Sequence, residues 1–171
     1  MKKALLIIDM LNDFIRSDGA LYVEGSEKII DRIKKEREKS HKEGVIVIYL
    51  CDSHRKGDPE FEIWPEHCVK GTYGVETINE LKPDKDDIII NKTTYSGFYN
   101  TELEKTLKEK GIEELILTGV ATNICVLYTA ADARMRGFKV EVLKDAVEGL
   151  TPRDKEWALR QMKEVLLAEV K

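Results

Sequence analysis

Residues 115–137 read LILTGVATNICVLYTAADARMRG, and this stretch decides the fold. Leu115, Ile116 and Leu117 form a short apolar run that ends at Thr118-Gly119. A small-residue link, Val120-Ala121-Thr122-Asn123, follows, and then Cys125, Val126, Thr129, Ala130 and Ala133 recur at helical spacing. The pattern predicts a buried strand, a tight turn and a helix, with Cys125 in the first helical turn. Helix N-termini leave amide N–H groups unpaired and carry partial positive charge. A thiol placed there ionises more easily, and its thiolate is the stronger nucleophile. The same position also suits a small, inert, buried cysteine.

Working outward, the apolar runs at 4–8 (ALLII), 45–50 (VIVIYL), 88–90 (III) and 138–143 read as further strands, covered on both faces. Between them, Ser26–Glu43 predicts a charged surface helix with Ile29, Ile30 and Ile33 buried and Gly44 as its stop. A short helix is expected over Val75–Leu81, and residues 12–14 are expected in a loop. Thr101 opens a helix with Glu104 as its capping-box partner. Gly137 ends the helix that carries Cys125. Thr151 and Pro152 start the last helix, whose apolar face is Trp157, Ala158, Leu159 and Met162. Leu166–Val170 is either its last turn or a sixth strand. Alternating strands and helices imply right-handed crossovers and a parallel sheet between two helical layers, an α/β class fold.

Composition sets limits on this fold. The 171 residues predict one domain, 1–171, with a sizeable core. A net charge of -4 gives no nucleic-acid or membrane footprint. No stretch approaches the roughly 18 apolar residues of a membrane span. Lys2 and Lys3 precede an apolar run, but Asp9 interrupts it early, so it reads as a strand rather than a signal peptide. The three cysteines, Cys51, Cys68 and Cys125, fit a reducing, cytoplasmic setting.

Ligands of such sheets bind beyond the carboxyl ends of the strands. Asp9, Asp52 with His54, Lys92, and the loop leading to Cys125 all stand there. Asp9, Lys92 and Cys125 can form a nucleophilic site: the ammonium favours the thiolate and the carboxylate shuttles the proton. They could equally be a salt bridge beside an idle thiol. Asp52, His54 and His67 can hold Zn²⁺, Fe²⁺ or Mn²⁺, with Glu60, Glu62 or Cys68 as a further ligand. A hydrogen-bonded Asp–His pair is the bland alternative. Cys51 faces away from Asp52 and His41 lies on a charged helix face. Phe14, Trp64, Tyr95 and Tyr99 lie in loops over the crevice, as stacking walls or as loop packing.

The segments LLIIDMLNDF, Asp52-Ser53-His54, WPEHCVKGT, KTTYSGFYNTEL and TGVATNICV occur in an order that resembles the nicotinamidase (pyrazinamidase) branch of the isochorismatase-like cysteine hydrolases. The resemblance runs nearly end to end. It implies a three-layer α/β/α sandwich with a mainly parallel six-stranded sheet of order 3-2-1-4-5-6. It also implies a triad of Asp9, Lys92 and Cys125, with an oxyanion hole from the backbone N–H groups of Ala121 and Cys125 after a cis peptide. One divalent ion, zinc before iron or manganese, would sit on Asp52, His54 and His67, with Glu60 the candidate fourth ligand. The substrate ring would lie among Phe14, Trp64 and Tyr99, with its pyridine nitrogen toward the ion. The implied reaction hydrolyses nicotinamide to nicotinate and ammonia through a Cys125 thioester, as in NAD salvage. A homo-oligomer is expected. Hydrolysis of a ureido or carbamoyl substrate is the rival activity, and a catalytically idle metal-stabilised scaffold the rival of another class. No G-x-G-x-x-G follows the first strand, so a dinucleotide-binding domain is set aside.

Overall fold

The computed structural model describes residues 1–171. Six strands, β1 (Lys3–Ile8), β2 (Ile46–Asp52), β3 (Ile88–Lys92), β4 (Glu114–Val120), β5 (Lys139–Glu148) and β6 (Glu169–Val170), form one sheet. Its order is β3-β2-β1-β4-β5-β6, and every pairing is parallel. Five helices accompany it: α1 (Asn12–Ile15), α2 (Ile30–Glu43), α3 (Leu103–Glu109), α4 (Leu127–Met135) and α5 (Pro152–Glu164).

Strand side chains alternate in direction, so one apolar run feeds two cores. Leu5, Ile7, Val47 and Tyr49 pack with Ile30 and Ile33 of α2. Ala4, Leu6, Ile8, Ile48 and Leu50 pack with Leu103 and Leu107 of α3, Ala130 and Ala133 of α4, and Ala158 and Met162 of α5. The helix stops fall at Gly44 and Gly137, both in the left-handed region where glycine carries no Cβ penalty. Thr151 accepts the Asp154 N–H and caps α5.

Several local readings give way to tertiary contacts. Val75–Leu81 is not a helix. Two 3₁₀ turns, Tyr73–Val75 and Asn79–Leu81, flank an extended piece in which Thr77 bridges Leu11. The Ile78 N–H donates to the Met10 carbonyl, and the Asn12 N–H to that of Glu76. Those bonds outweigh the helical spacing of three apolar residues. Residues 12–14 belong to the single-turn α1 rather than a loop. Glu104 caps nothing, because Lys108 and Arg136 take its carboxylate; Thr101 alone accepts the Leu103 N–H. Trp157 faces solvent, and Ala158 and Met162 form the buried face of α5.

One glycine joins the frame to the site. Gly119 pairs with Ile8 across β4 and β1, at φ +103°. A Cβ there would lie 2.0 Å from the Ile8 carbonyl oxygen. That close approach sets the end of β4, and the link to Cys125, against Asp9. Gly119→Ala is therefore expected to destabilise the fold by about 3 kcal/mol or more, measured by denaturant titration. A loss near zero would show that β4 is not held so tightly.

Candidate active site

Three neighbouring strands end at one point. Asp9 follows β1 at φ +52°, a turn that aims its carboxyl across the strand ends. Its Oδ1 accepts the Asp52 N–H at 2.8 Å. Asp52 and Lys92 are register partners on β2 and β3, which places their side chains together. The Lys92 ammonium lies 2.8 Å from Asp9 Oδ2, pairs with Asp52 Oδ1, and donates to the Thr94 carbonyl at 3.1 Å and to Cys125 Sγ at 3.5 Å. An oxygen of Asp9 and the sulfur of Cys125 lie within 4.8 Å of each other. All four side chains are buried. A buried ammonium is tolerated only where partners compensate it, and Lys92 has two carboxylates.

Cys125 sits in a single π-helical turn, Thr122–Val126, that leads into α4. The Val120–Ala121 peptide before it is cis. The sequence predicts an easily ionised thiol at the helix start; burial works against that ionisation. Burial raises the Cys125 thiol well above its ordinary value; Lys92 opposes the rise, and the Asp9 and Asp52 charges add to it. Burial, then repulsion by Asp52, pushes the Asp9 carboxyl up to about 6. Burial works against charge on Asp52 too, but Lys92 and both imidazoles hold its carboxyl below the usual range. Burial likewise opposes the Lys92 charge, and the carboxylates prevail and keep it protonated. The resting arrangement is a neutral thiol beside a carboxyl whose own affinity for a proton is raised, not a standing thiolate.

A second cluster adjoins the first through Asp52. His54 Nε2 and His67 Nε2 lie 3.7 and 3.6 Å from Asp52 Oδ2. Behind the rings, the Pro65 carbonyl lies 2.7 Å from His67 Nδ1, and Asp58 Oδ2 stands 3.5 Å from His54 Nδ1 without a hydrogen bond. Asp52, His54, Glu60 and His67 each offer a ligand atom within 4.8 Å of the others. His54 is fully buried, and neither ring nitrogen has a hydrogen-bond partner. Burial and the Asp52 charge raise the Glu60 carboxyl. Orphaned imidazole nitrogens facing accumulated negative charge fit a divalent cation. Cys68 is outside this cluster; its N–H is held by Asp13 Oδ2 at 2.7 Å and its thiol lies near the Gly74 carbonyl. Cys51 is core, as strand alternation implied. His41 pairs with Asp84 and Asp87 at the surface.

A pocket of about 430 Å³, open mouth included, opens over both clusters. Its apolar walls include Phe14, Trp64, Tyr95, Ile124 and Leu150, and its polar wall is Asp9, Asp52, Glu60, His67 and Cys125. Tyr99 is not part of it. That ring is 59% exposed and borders a separate surface hollow, while Tyr95 occupies the pocket wall. The chain turns between the two tyrosines, where the Tyr99 N–H donates to the Ser96 carbonyl, and Gly97 in that turn leaves no room for a Cβ against Leu50. Leu21, Val23, Ile124 and Leu150 also line the pocket, and nothing in the sequence pattern singled them out. Asp58 and Asp13 were equally unmarked, although each holds part of the loop that bears His67.

This sheet order, with its strand ends converging on one pocket, is that of an isochorismatase-like hydrolase. The isochorismatase domain model matches residues 3–170, and the chain belongs to the isochorismatase-like hydrolase family. The crystal structure of nicotinamidase PncA from Bacillus subtilis superposes with a TM-score of 0.94, at 38% identity over 99% of each chain. A curated Bacillus subtilis (strain 168) protein named "Uncharacterized isochorismatase family protein PncA" is 39% identical over 99% of both chains. Pyrazinamidase of Pyrococcus horikoshii in complex with zinc gives 0.94 at 35% identity, covering all of this chain and 99% of that one. N-carbamoylsarcosine amidase from Thermoplasma acidophilum gives 0.91 at 38% identity, covering 100% and 96%. No helix is long and apolar enough to cross a membrane.

Proposed function

We propose that the protein is a cysteine amidohydrolase that converts nicotinamide to nicotinate and ammonia. The supporting observation is the pocket's chemistry. Asp9, Asp52 and Glu60 bring three carboxylates to its wall, and no arginine or free lysine accompanies them. Lys92 lies behind, already paired. Such a wall offers a substrate carboxylate no free cationic side chain to pair with, and suits a neutral, flat amide between aromatic rings. N-carbamoylsarcosine carries a carboxylate, which favours nicotinamide over that relative's substrate.

In the reaction Asp9 takes the Cys125 proton as sulfur attacks the amide carbon. The N–H groups of Ala121 and Cys125 are the candidate donors to the developing oxyanion. Lys92 holds Asp9 and the sulfur in register and offsets negative charge between them. Asp9 then passes its proton to the departing nitrogen, ammonia leaves, and a thioester remains on Cys125. Water enters and gives a proton to Asp9, its oxygen bonds to the acyl carbon, and nicotinate departs as the thiol is restored. Asp52, His54, His67 and Glu60 would hold one divalent ion, zinc by analogy with the Pyrococcus neighbour. That ion would supply a Lewis-acid contact for the ring nitrogen.

Ammonia release from nicotinamide, compared with N-carbamoylsarcosine and other carbamoyl compounds, tests the substrate. A kcat/KM at least about 100-fold higher for nicotinamide is expected, a margin of roughly 3 kcal/mol for burying an uncompensated carboxylate. Preference for a carbamoyl acid would overturn the reading. Zinc added to metal-stripped protein at about 100 Kd is expected to stabilise it by about 3 kcal/mol, read as a rise in melting temperature. His54→Ala should abolish that rise; a rise that survives it would place the ion elsewhere.

A further inference from the structure

Two aromatic rings from different loops meet at the pocket wall. Trp64 Nε1 donates to the Tyr95 hydroxyl at 3.0 Å, and both residues line the pocket. Tyr95 also forms part of the outer surface hollow, so its ring is a partition between the two spaces. Behind it stands Tyr128. The two tyrosine rings are stacked, with centroids 5.6 Å apart and planes 23° from parallel. Tyr128 is 50% exposed, lies on α4 close beyond Cys125, and does not line the pocket.

We propose that Tyr128 is a positioning residue: its ring backs Tyr95, and through the Tyr95 hydroxyl it holds Trp64 as the surface on which a flat amide substrate lies. The backbone beside Tyr95 has its own anchors. Ser96 hydrogen-bonds Asp132, and the Gly97 N–H donates to Thr129 Oγ1 at 3.0 Å. Removing the Tyr128 ring therefore leaves the loop in place and takes away only the backing of one side chain. Tyr95 can then turn into the outer hollow and release Trp64. The contact runs through the face of the ring, so phenylalanine at 128 preserves it. An aromatic pair contributes enough beyond area burial to shift binding by up to about tenfold.

The kinetic half of the test rests on the nicotinamide reading, and the optical half does not. The chain has two tryptophans, so a Trp157→Phe background leaves Trp64 as the sole indole reporter. In that background Tyr128→Ala is expected to raise KM for nicotinamide about three- to tenfold, with kcat within about twofold. Trp64 emission should shift to the red and acrylamide quenching should increase, without substrate present. Tyr128→Phe should match the parent in both readouts. Tyr95→Phe, which keeps the stack but loses the hydrogen bond, should behave like Tyr128→Ala. Unchanged Trp64 quenching in Tyr128→Ala would overturn the proposal. So would equal damage from Tyr128→Phe, or a fall in kcat and melting temperature in place of the KM effect. A protein inactive on nicotinamide but showing the optical pattern would separate failure of the substrate reading from failure of this one.

Discussion

Replacing Cys125 with alanine is expected to lower nicotinamide turnover by about 10⁴-fold or more, with folding and zinc-dependent stabilisation unchanged. The sulfur is the only nucleophile in the pocket that both Lys92 and Asp9 serve. It lies 3.5 Å from the ammonium and within 4.8 Å of a carboxylate oxygen. Alanine removes the atom to which the acyl group must bond, and no neighbour replaces it. It leaves a small gap beside Val126 and Leu127, which belong to the same apolar core. The stability loss should stay within about 1–2 kcal/mol. The idle-scaffold alternative expects no functional change, so kcat in parent and variant, read alongside melting temperature, separates the two. Retention of more than about 1% of activity would remove the sulfur from the chemistry.

The second large effect belongs to Asp9. Asp9→Asn keeps shape and the hydrogen bond from the Asp52 N–H, but it cannot accept a proton. kcat is expected to fall about 10²- to 10⁴-fold, the usual scale for a lost general base. The pH profile supplies a sign. The Asp9 carboxyl is raised to about 6, by burial first and by Asp52 second. Its ionised form must take the thiol proton, so activity should be present above that pH and fall as pH drops through it. The variant's residual activity should lack this acid limb. A limb that persists in Asp9→Asn would assign the titration to another group of the pocket wall, such as Glu60 or His67.

Much of the fold was legible because β1, β2 and β3 are apolar runs that stop abruptly at a polar residue. Asp9, Asp52 and Lys92 stand at those stops, and a parallel sheet delivers all such stops to one edge. The grouping of Asp52, His54 and His67 was legible for the same reason, and because the chain has only three histidines. What failed depended on contacts between distant segments. Tyr95 and Tyr99 are interchangeable in a pattern of loop aromatics; Tyr95 is set at the pocket wall by contacts with Trp64 and Tyr128, which are distant in sequence. Val75, Ile78 and Leu81 have helical spacing, yet the backbone there bonds to Met10 and Asn12. The thiol's environment was only partly legible: helix position and a lysine show in the sequence, whereas the burial that most opposes ionisation, and the two carboxylates that add to it, come from the packed fold. That Asp52 serves both clusters was also out of reach, since it follows from its register with Lys92.

Trapping the reaction in acid during nicotinamide turnover, then measuring the mass of the peptide that carries Cys125, tests the chemistry most directly. A nicotinoyl group should be found on Cys125, and it should disappear when substrate is exhausted. Nicotinate formation at full rate with that peptide unmodified, and the same rate in Cys125→Ala, would contradict a thioester path.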